Sequence, residues 1–227
     1  MAPGAGATNE VGLPVRVKEL RESPRRPGRY FLALSDGRTL VLGIVALADV
    51  GATRAGAILS PDALAALVRE STITDLADRA VGFLARGRRT RRELEQRLRR
   101  REPDATLIAA SLDRLESSGL LSDSEVADAE ASARLRRGEA PARVRQMLRR
   151  KGIGEREAAT AISKAVQDDG FDELTACRAL VEKRMRALGK LDPAVARRRL
   201  TAFLVRRGFG GSVLHKVVGE QFGRLGT

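Results

Sequence analysis

The sequence predicts a mainly α-helical chain: three tandem three-helix repeats in an elongated, curved array, preceded by a small antiparallel β-sheet module. Three observations predict it. First, one phrase is written three times, as Leu98-Arg99-Arg100-Arg101, Leu148-Arg149-Arg150-Lys151-Gly152 and Leu204-Val205-Arg206-Arg207-Gly208, at intervals of 50 and then 56 residues. Second, Gly87, Gly138 and Gly189 stand 11, 10 and 15 residues before those leucines, so the whole unit recurs and not only its basic tail. Self-similarity at such a period marks stacked supersecondary units, because one unit alone cannot bury its apolar face. Third, ahead of the first unit the apolar residues alternate with period two, the mark of strands.

Residues 1–13 are Gly, Ala and Pro with few charges and no periodicity, which reads as a disordered tail. Residues 14–72 read as a small β module with one helix. Val15 and Val17 alternate with charged neighbours, and the apolar runs 29–34 and 39–45 flank Ser35-Asp36-Gly37-Arg38. Asp-Gly between two such runs signals a hairpin whose two central residues take positive φ. Ser60 then serves as N-cap to a helix opened by Pro61, with Leu64, Leu67 and Val68 on one face.

The first repeat is expected over 73–121. Thr74 is read as an N-cap ahead of Leu76, Ala80, Phe83 and Leu84. Thr90 with Glu93 forms a capping box for a second helix carrying Leu94 and Leu98 inward. A third helix, 105–117, has Leu107, Ile108, Leu112 and Leu115 as its stripe and ends before Gly119. The second repeat, 122–170, opens on a Ser122/Glu125 box. Its basic helix starts at Pro141 with Val144, Met147 and Leu148 inward, and its last helix carries Ala158, Ile162 and Val166. The third, 171–227, has Leu174, Cys177, Leu180 and Val181, then Asp192-Pro193 before Ala196, Leu200, Phe203 and Leu204, and a final helix with Val213, Leu214, Val217, Val218 and Phe222.

Charge points to a polyanionic partner. The chain of 227 residues carries a formal charge of +13, and 43% of its residues are hydrophobic, enough for an ordinary core. Residues 1–75 contribute +1, whereas residues 76–121, 122–170 and 171–227 contribute +4, +1 and +7. Arg outnumbers Lys 36 to 6. A guanidinium fork grips phosphate or carboxylate with two parallel hydrogen bonds, so helices lined with arginine suit a nucleic acid or an acidic protein groove.

Enzyme chemistry has no carrier in this sequence. The one histidine, His215, lies between Leu214 and Lys216, and no phosphate-binding loop, Cys-x-x-Cys pair or Gly-x-Ser-x-Gly elbow is present. Asp168, Asp169 and Asp172 follow a helix end near Gly170, where acidic turn residues are common, and are read as such, with no metal role. Cys177, the single cysteine, sits in an apolar pattern and is read as a small buried hydrophobe. No stretch approaches the roughly 18 apolar residues of a membrane helix, and the expected address is the cytoplasm.

Several ordered motifs carry a family resemblance. Gly-Leu-Leu-Ser-Asp-Ser-Glu-Val-Ala at 119–127, Ser-Ala-Arg-Leu-Arg-Arg-Gly at 132–138 and Val-Arg-Gln-Met-Leu-Arg-Arg-Lys-Gly-Ile from Val144 to Ile153 resemble the central signature of RecX regulatory proteins. Ala-Leu-Val-Glu-Lys-Arg at 179–184 and Leu-Thr-Ala-Phe-Leu-Val-Arg-Arg-Gly-Phe at 200–209 resemble later segments of that family. The resemblance covers roughly residues 76–222, with Val126 where an aromatic is usual and a longer linker at 190–194. It implies a non-enzymatic modulator, mostly an inhibitor, of the RecA recombinase, lying in the groove of the RecA–DNA filament and suppressing its ATPase, strand-exchange and co-protease activities. The expected contact surface is Arg97, Arg100, Arg145, Arg149, Arg150, Arg198, Arg206 and Arg207. The expected partners are the RecA filament and, weakly and without sequence preference, single- or double-stranded DNA. The protein is expected to be a monomer with no cofactor and no membrane association. The alternative is a stand-alone DNA-binding protein of helix-turn-helix type, acting without RecA.

Overall fold

Three strands and ten helices succeed one another along the part of the chain that the structure, a computed structural model, describes: residues 14–24 and 26–223. The tail expected at 1–13 lies outside the described residues. The strands are β1 (Val17–Glu22), β2 (Arg29–Leu34) and β3 (Thr39–Gly43), and the first four helices are α1 (Ile44–Asp49), α2 (Pro61–Leu84), α3 (Arg91–Leu98) and α4 (Ala105–Ser117). Then come α5 (Asp123–Arg136), α6 (Pro141–Arg150), α7 (Glu155–Asp168), α8 (Glu173–Leu188), α9 (Pro193–Arg206) and α10 (Gly211–Gly223). The chain divides into two compact units, Met1–Gly82 with Leu98–Ser117 and Phe83–Arg97 with Ser118–Thr227.

In the first unit the strands form an antiparallel sheet in the order β1-β2-β3. Period-two alternation turns Leu32, Leu34, Leu40 and Leu42 to one side, where they are buried with Leu47, Leu59 and Leu67. Each edge is engaged at one place. The Val17 amide donates to the Ala57 carbonyl at 2.9 Å along β1, and the Val41 amide of β3 donates to Ser71 Oγ of α2 at 3.0 Å. Asp78 of α2 then accepts from Arg26 (2.7 Å) and Arg29 (2.9 Å), and Glu70 accepts both Nη groups of Arg114 from α4 at 2.8 and 2.9 Å.

Three local expectations are corrected by the structure. The hairpin turn does not place both central residues at positive φ: only Gly37 does (φ +89°). The Gly37 amide donates to the Leu34 carbonyl and the Leu34 amide to the Arg38 carbonyl, which closes a three-residue loop whose left-handed position needs the glycine. The strand expected to run to Val45 stops at Gly43, and 44–49 is a helical turn that buries Leu47. Thr74 is no N-cap, because α2 is continuous from Pro61 to Leu84 and the boundary expected at 72/73 falls inside it. Thr74 is fully buried there, with its hydroxyl on Glu70 at 3.2 Å.

The second unit holds two three-helix cores. Helices α5, α6 and α7 bury Val126, Ala127, Leu135, Val144, Leu148 and Ile162 together, and α8, α9 and α10 bury Cys177, Val181, Leu200, Leu204, Phe209 and Val217. Val126 is 4% exposed and fills its place in the core. Helix starts agree with the caps read in the sequence. Ser122 Oγ accepts from the Glu125 amide, Asp192 accepts from the amides of Ala194 and Val195, and Pro141 and Pro193 occupy first-turn positions where a missing N–H costs nothing. Burial pushes the Cys177 thiol up to about 11, so it stays protonated and unreactive at neutral pH.

Candidate functional site

The leucine of each repeated phrase is a core residue: Leu98, Leu148 and Leu204 are all buried. Beyond each leucine the chain leaves the core. The phrase ends α3, α6 and α9, so its last backbone carbonyls have no partner inside their own helix. Two of the three phrases meet the start of the basic helix before them. The carbonyl of Lys151, at the end of α6, accepts from Thr90 Oγ1 at 2.7 Å, and Thr90 is the N-cap of α3. The carbonyl of Arg207, at the end of α9, accepts at 3.0 Å from the amide of Ala140, the N-cap of α6. The carbonyl end of one helix therefore meets the amide end of another, an arrangement that the backbone dipoles favour.

The N-terminus of α3 is the most fully satisfied of these ends. Thr90 and Glu93 form the predicted capping box, with the Thr90 amide on Glu93 Oε2 at 3.0 Å and the Glu93 amide on Thr90 Oγ1 at 3.3 Å. The Arg91 amide adds a 2.7 Å bond to Asp123. Lys151 reaches Glu130 at 2.8 Å and Glu93 at 3.6 Å. Burial of Glu130 opposes its ionisation, yet Lys151 and Arg134 outweigh that cost and hold its carboxyl below the ordinary value. The joint thus consumes one basic side chain of the phrase.

The eight predicted contact arginines fall into two groups. Arg100, Arg149, Arg150, Arg198 and Arg206 are exposed, and among the described residues none of them has an acidic partner within ion-pair distance. Arg97 lies over the Phe83 ring, 5.4 Å from its centroid. Arg145 stands 3.2 Å from Glu155, and Arg207 lies over Phe203 at 5.6 Å while an Nη donates to the Arg137 carbonyl at 3.4 Å. Arg149 and Arg150 are brought together at the end of α6, beyond the buried Leu148.

Other basic residues are neutralised nearby. Arg136 pairs with Asp169 at 2.7 Å, and the hydrogen bonds from Arg136 and Ser132 hold the Asp169 carboxyl below the usual carboxylate range. Lys164 pairs with Asp128 and Arg178 with Glu220. Among the described residues no group of three or more His, Cys, Asp or Glu could hold a metal ion, and no helix is long and apolar enough to cross a membrane. Asp172, read in the sequence as an acidic turn residue, is the N-cap of α8, accepting from the Thr175 amide.

Sequence reasoning passed over the joint itself. Its signal was present: Gly152 and Gly208 close the second and third phrases, whereas the first continues with Glu102.

Comparison with known proteins places these features in a family. Residues 78–115 match the model of the first three-helix domain of RecX, and residues 172–218 match the model of the third. A "Regulatory protein RecX" of Halorhodospira halophila is 36% identical over 132 residues, 58% of this chain and 79% of that protein. One of Amycolatopsis mediterranei is 34% identical over 146 residues, 64% and 82% respectively. A solved structure, "Crystal structure of regulatory protein RecX", shares the fold with a TM-score of 0.72 at 19% identity, covering 91% of this chain and 99% of that one.

Proposed function

Because the chain belongs to the RecX family of regulatory proteins, we propose that it is a non-enzymatic modulator, mostly an inhibitor, of the RecA recombinase in the cytoplasm. It lies as a monomer in the groove of the RecA–DNA filament, contacts it through its basic helices, and suppresses ATP hydrolysis, strand exchange and co-protease activity by occupancy rather than by chemistry. One observation carries this reading: Arg149 and Arg150 stand exposed and without an acidic partner among the described residues, at the end of a helix whose other basic residues are engaged within the fold. Side chains left unpaired in this way are available to phosphate or carboxylate, and the planar guanidinium fork loses less freedom for each hydrogen bond it forms than an ammonium does.

The direct test is the DNA-dependent ATPase of RecA with and without the protein. The expected result is a loss of hydrolysis at concentrations where the protein binds naked DNA only weakly and in a steeply salt-dependent manner. Tight, sequence-dependent DNA binding with RecA hydrolysis untouched overturns the proposal in favour of a stand-alone DNA-binding protein.

A further inference from the structure

The third copy of the phrase has a different outer surface from the other two. The residue after its leucine is Arg99 in the first copy and Arg149 in the second, but Val205 in the third. Arg149 is exposed, and Val205 is exposed at the equivalent place, with 54% of its surface open. It is one of few large apolar side chains left open among the described residues. Val205 also has company. Ala194, Arg198, Thr201, Ala202 and Val205 recur at helical spacing on one face of α9, and with Phe222 of α10 they line a groove of about 740 Å³.

Two chemistries meet in that groove. Its floor is apolar, from Ala202, Val205 and Phe222, while Arg197 and Arg198 add positive charge and have no acidic partner among the described residues. No described lining residue is acidic. A phosphodiester backbone gains nothing from an apolar floor, and the two sister copies keep arginine at this place. A protein helix with apolar anchors three and four residues apart fits such a groove, and carboxylates beside those anchors fit the arginines.

We propose that the α9–α10 groove docks an acidic amphipathic segment of a protein partner, with apolar side chains against Val205, Ala202 and Phe222 and carboxylates against Arg197 and Arg198. The inference rests on the function proposed above, in which that partner is RecA, and it divides the labour: α6 presents Arg149 and Arg150 to phosphate, and α9 faces protein. The third repeat, with the highest net charge, is then the end that recognises the filament protein.

The test uses the full chain with RecA filaments on poly(dT). A photo-crosslinking p-benzoylphenylalanine at position 205 should attach to the RecA polypeptide and not to DNA. Val205→Glu should weaken co-sedimentation with filaments about tenfold, the effect of losing a central anchor, and leave affinity for naked poly(dT) and the melting temperature unchanged. Crosslinks to DNA alone, crosslinked dimers of the chain formed without RecA, or a Val205→Glu variant that binds filaments undiminished overturn the groove proposal while the function stands. An unsubstituted chain that fails to sediment with filaments overturns both.

Discussion

Gly208 lies against the backbone of Arg143: a Cβ at position 208 would stand 2.9 Å from the Arg143 amide nitrogen and 2.5 Å from its Cβ. Gly208 also has φ +93°, a region that side chains disfavour. Gly152 repeats the relationship one repeat earlier, but there a Cβ would meet the Arg92 side chain, with Cδ at 2.5 Å and Cβ at 2.6 Å, and Gly152 has φ +88°. Part of the Arg92 side chain can swing aside, whereas the Arg143 backbone cannot.

Gly208→Ala is therefore expected to destabilise the protein more than Gly152→Ala, by about 2 kcal/mol or more against a smaller loss. Thermal melts monitored by circular dichroism check the order, with a fall of roughly 2–4 °C expected for each kcal/mol in a chain of this size. Equal melting temperatures for the two variants would remove backbone crowding as the distinguishing cause.

Thr90→Val keeps the shape of a fully buried side chain and removes its hydroxyl, which caps α3 and bonds the Lys151 carbonyl. The loss should be about 1–3 kcal/mol, because the Lys151 carbonyl and the Glu93 amide both lose a partner. Urea titration checks it, and amide exchange should rise at the start of α3.

Arg149→Glu with Arg150→Glu should leave folding within about 0.5 kcal/mol, since both side chains are exposed and unpaired among the described residues. The same pair should weaken RecA inhibition at low salt. If both arginines meet phosphate, the slope of log affinity for DNA against log salt should shrink by about two. An unchanged slope with unchanged inhibition would take the pair off the contact surface.

Asp169→Asn tests the clamp that joins α5 to the end of α7. Because Arg136 and Ser132 hold the Asp169 carboxyl below its unfolded value, its stabilisation is present above the ordinary aspartate pKa and is lost as pH falls through the lowered one. The stability difference between the unsubstituted chain and the variant should be constant near neutral pH and close in acid. A difference that persists at low pH would assign the effect to packing instead.

Elements whose ends carry their own chemistry were legible in the sequence. Thr90 with Glu93, Pro141 and Asp192 with Pro193 fixed where helices start, and β2 matches the run 29–34. Elements settled by distant partners were not. Thr74 reads as a helix-start residue, but inside α2 its hydroxyl donates to Glu70, while Ser71 on the same helix accepts from the β3 amide of Val41, so the usual competition of these side chains with the helix backbone disappears. Ile44 and Val45 read as strand because β-branched residues favour it, yet burial of Leu47 in the sheet core selects a helical turn. Of the candidate surface, the exposed arginines were legible by helical phase. The stacking of Arg97 and Arg207 on rings was not, because Phe83 and Phe203 look only like core residues in the sequence.

The glycine-sealed joint also has a direction. In both cases the docking end belongs to the later repeat and the seat to the earlier one: Lys151 and Gly152 settle on 90–92, and Arg207 and Gly208 settle on 140–143. As a nascent chain leaves the ribosome from its N-terminus, each seat has emerged before the segment that fills it. The order of synthesis is the order of docking, and no newly made repeat has to wait for a partner still inside the exit tunnel.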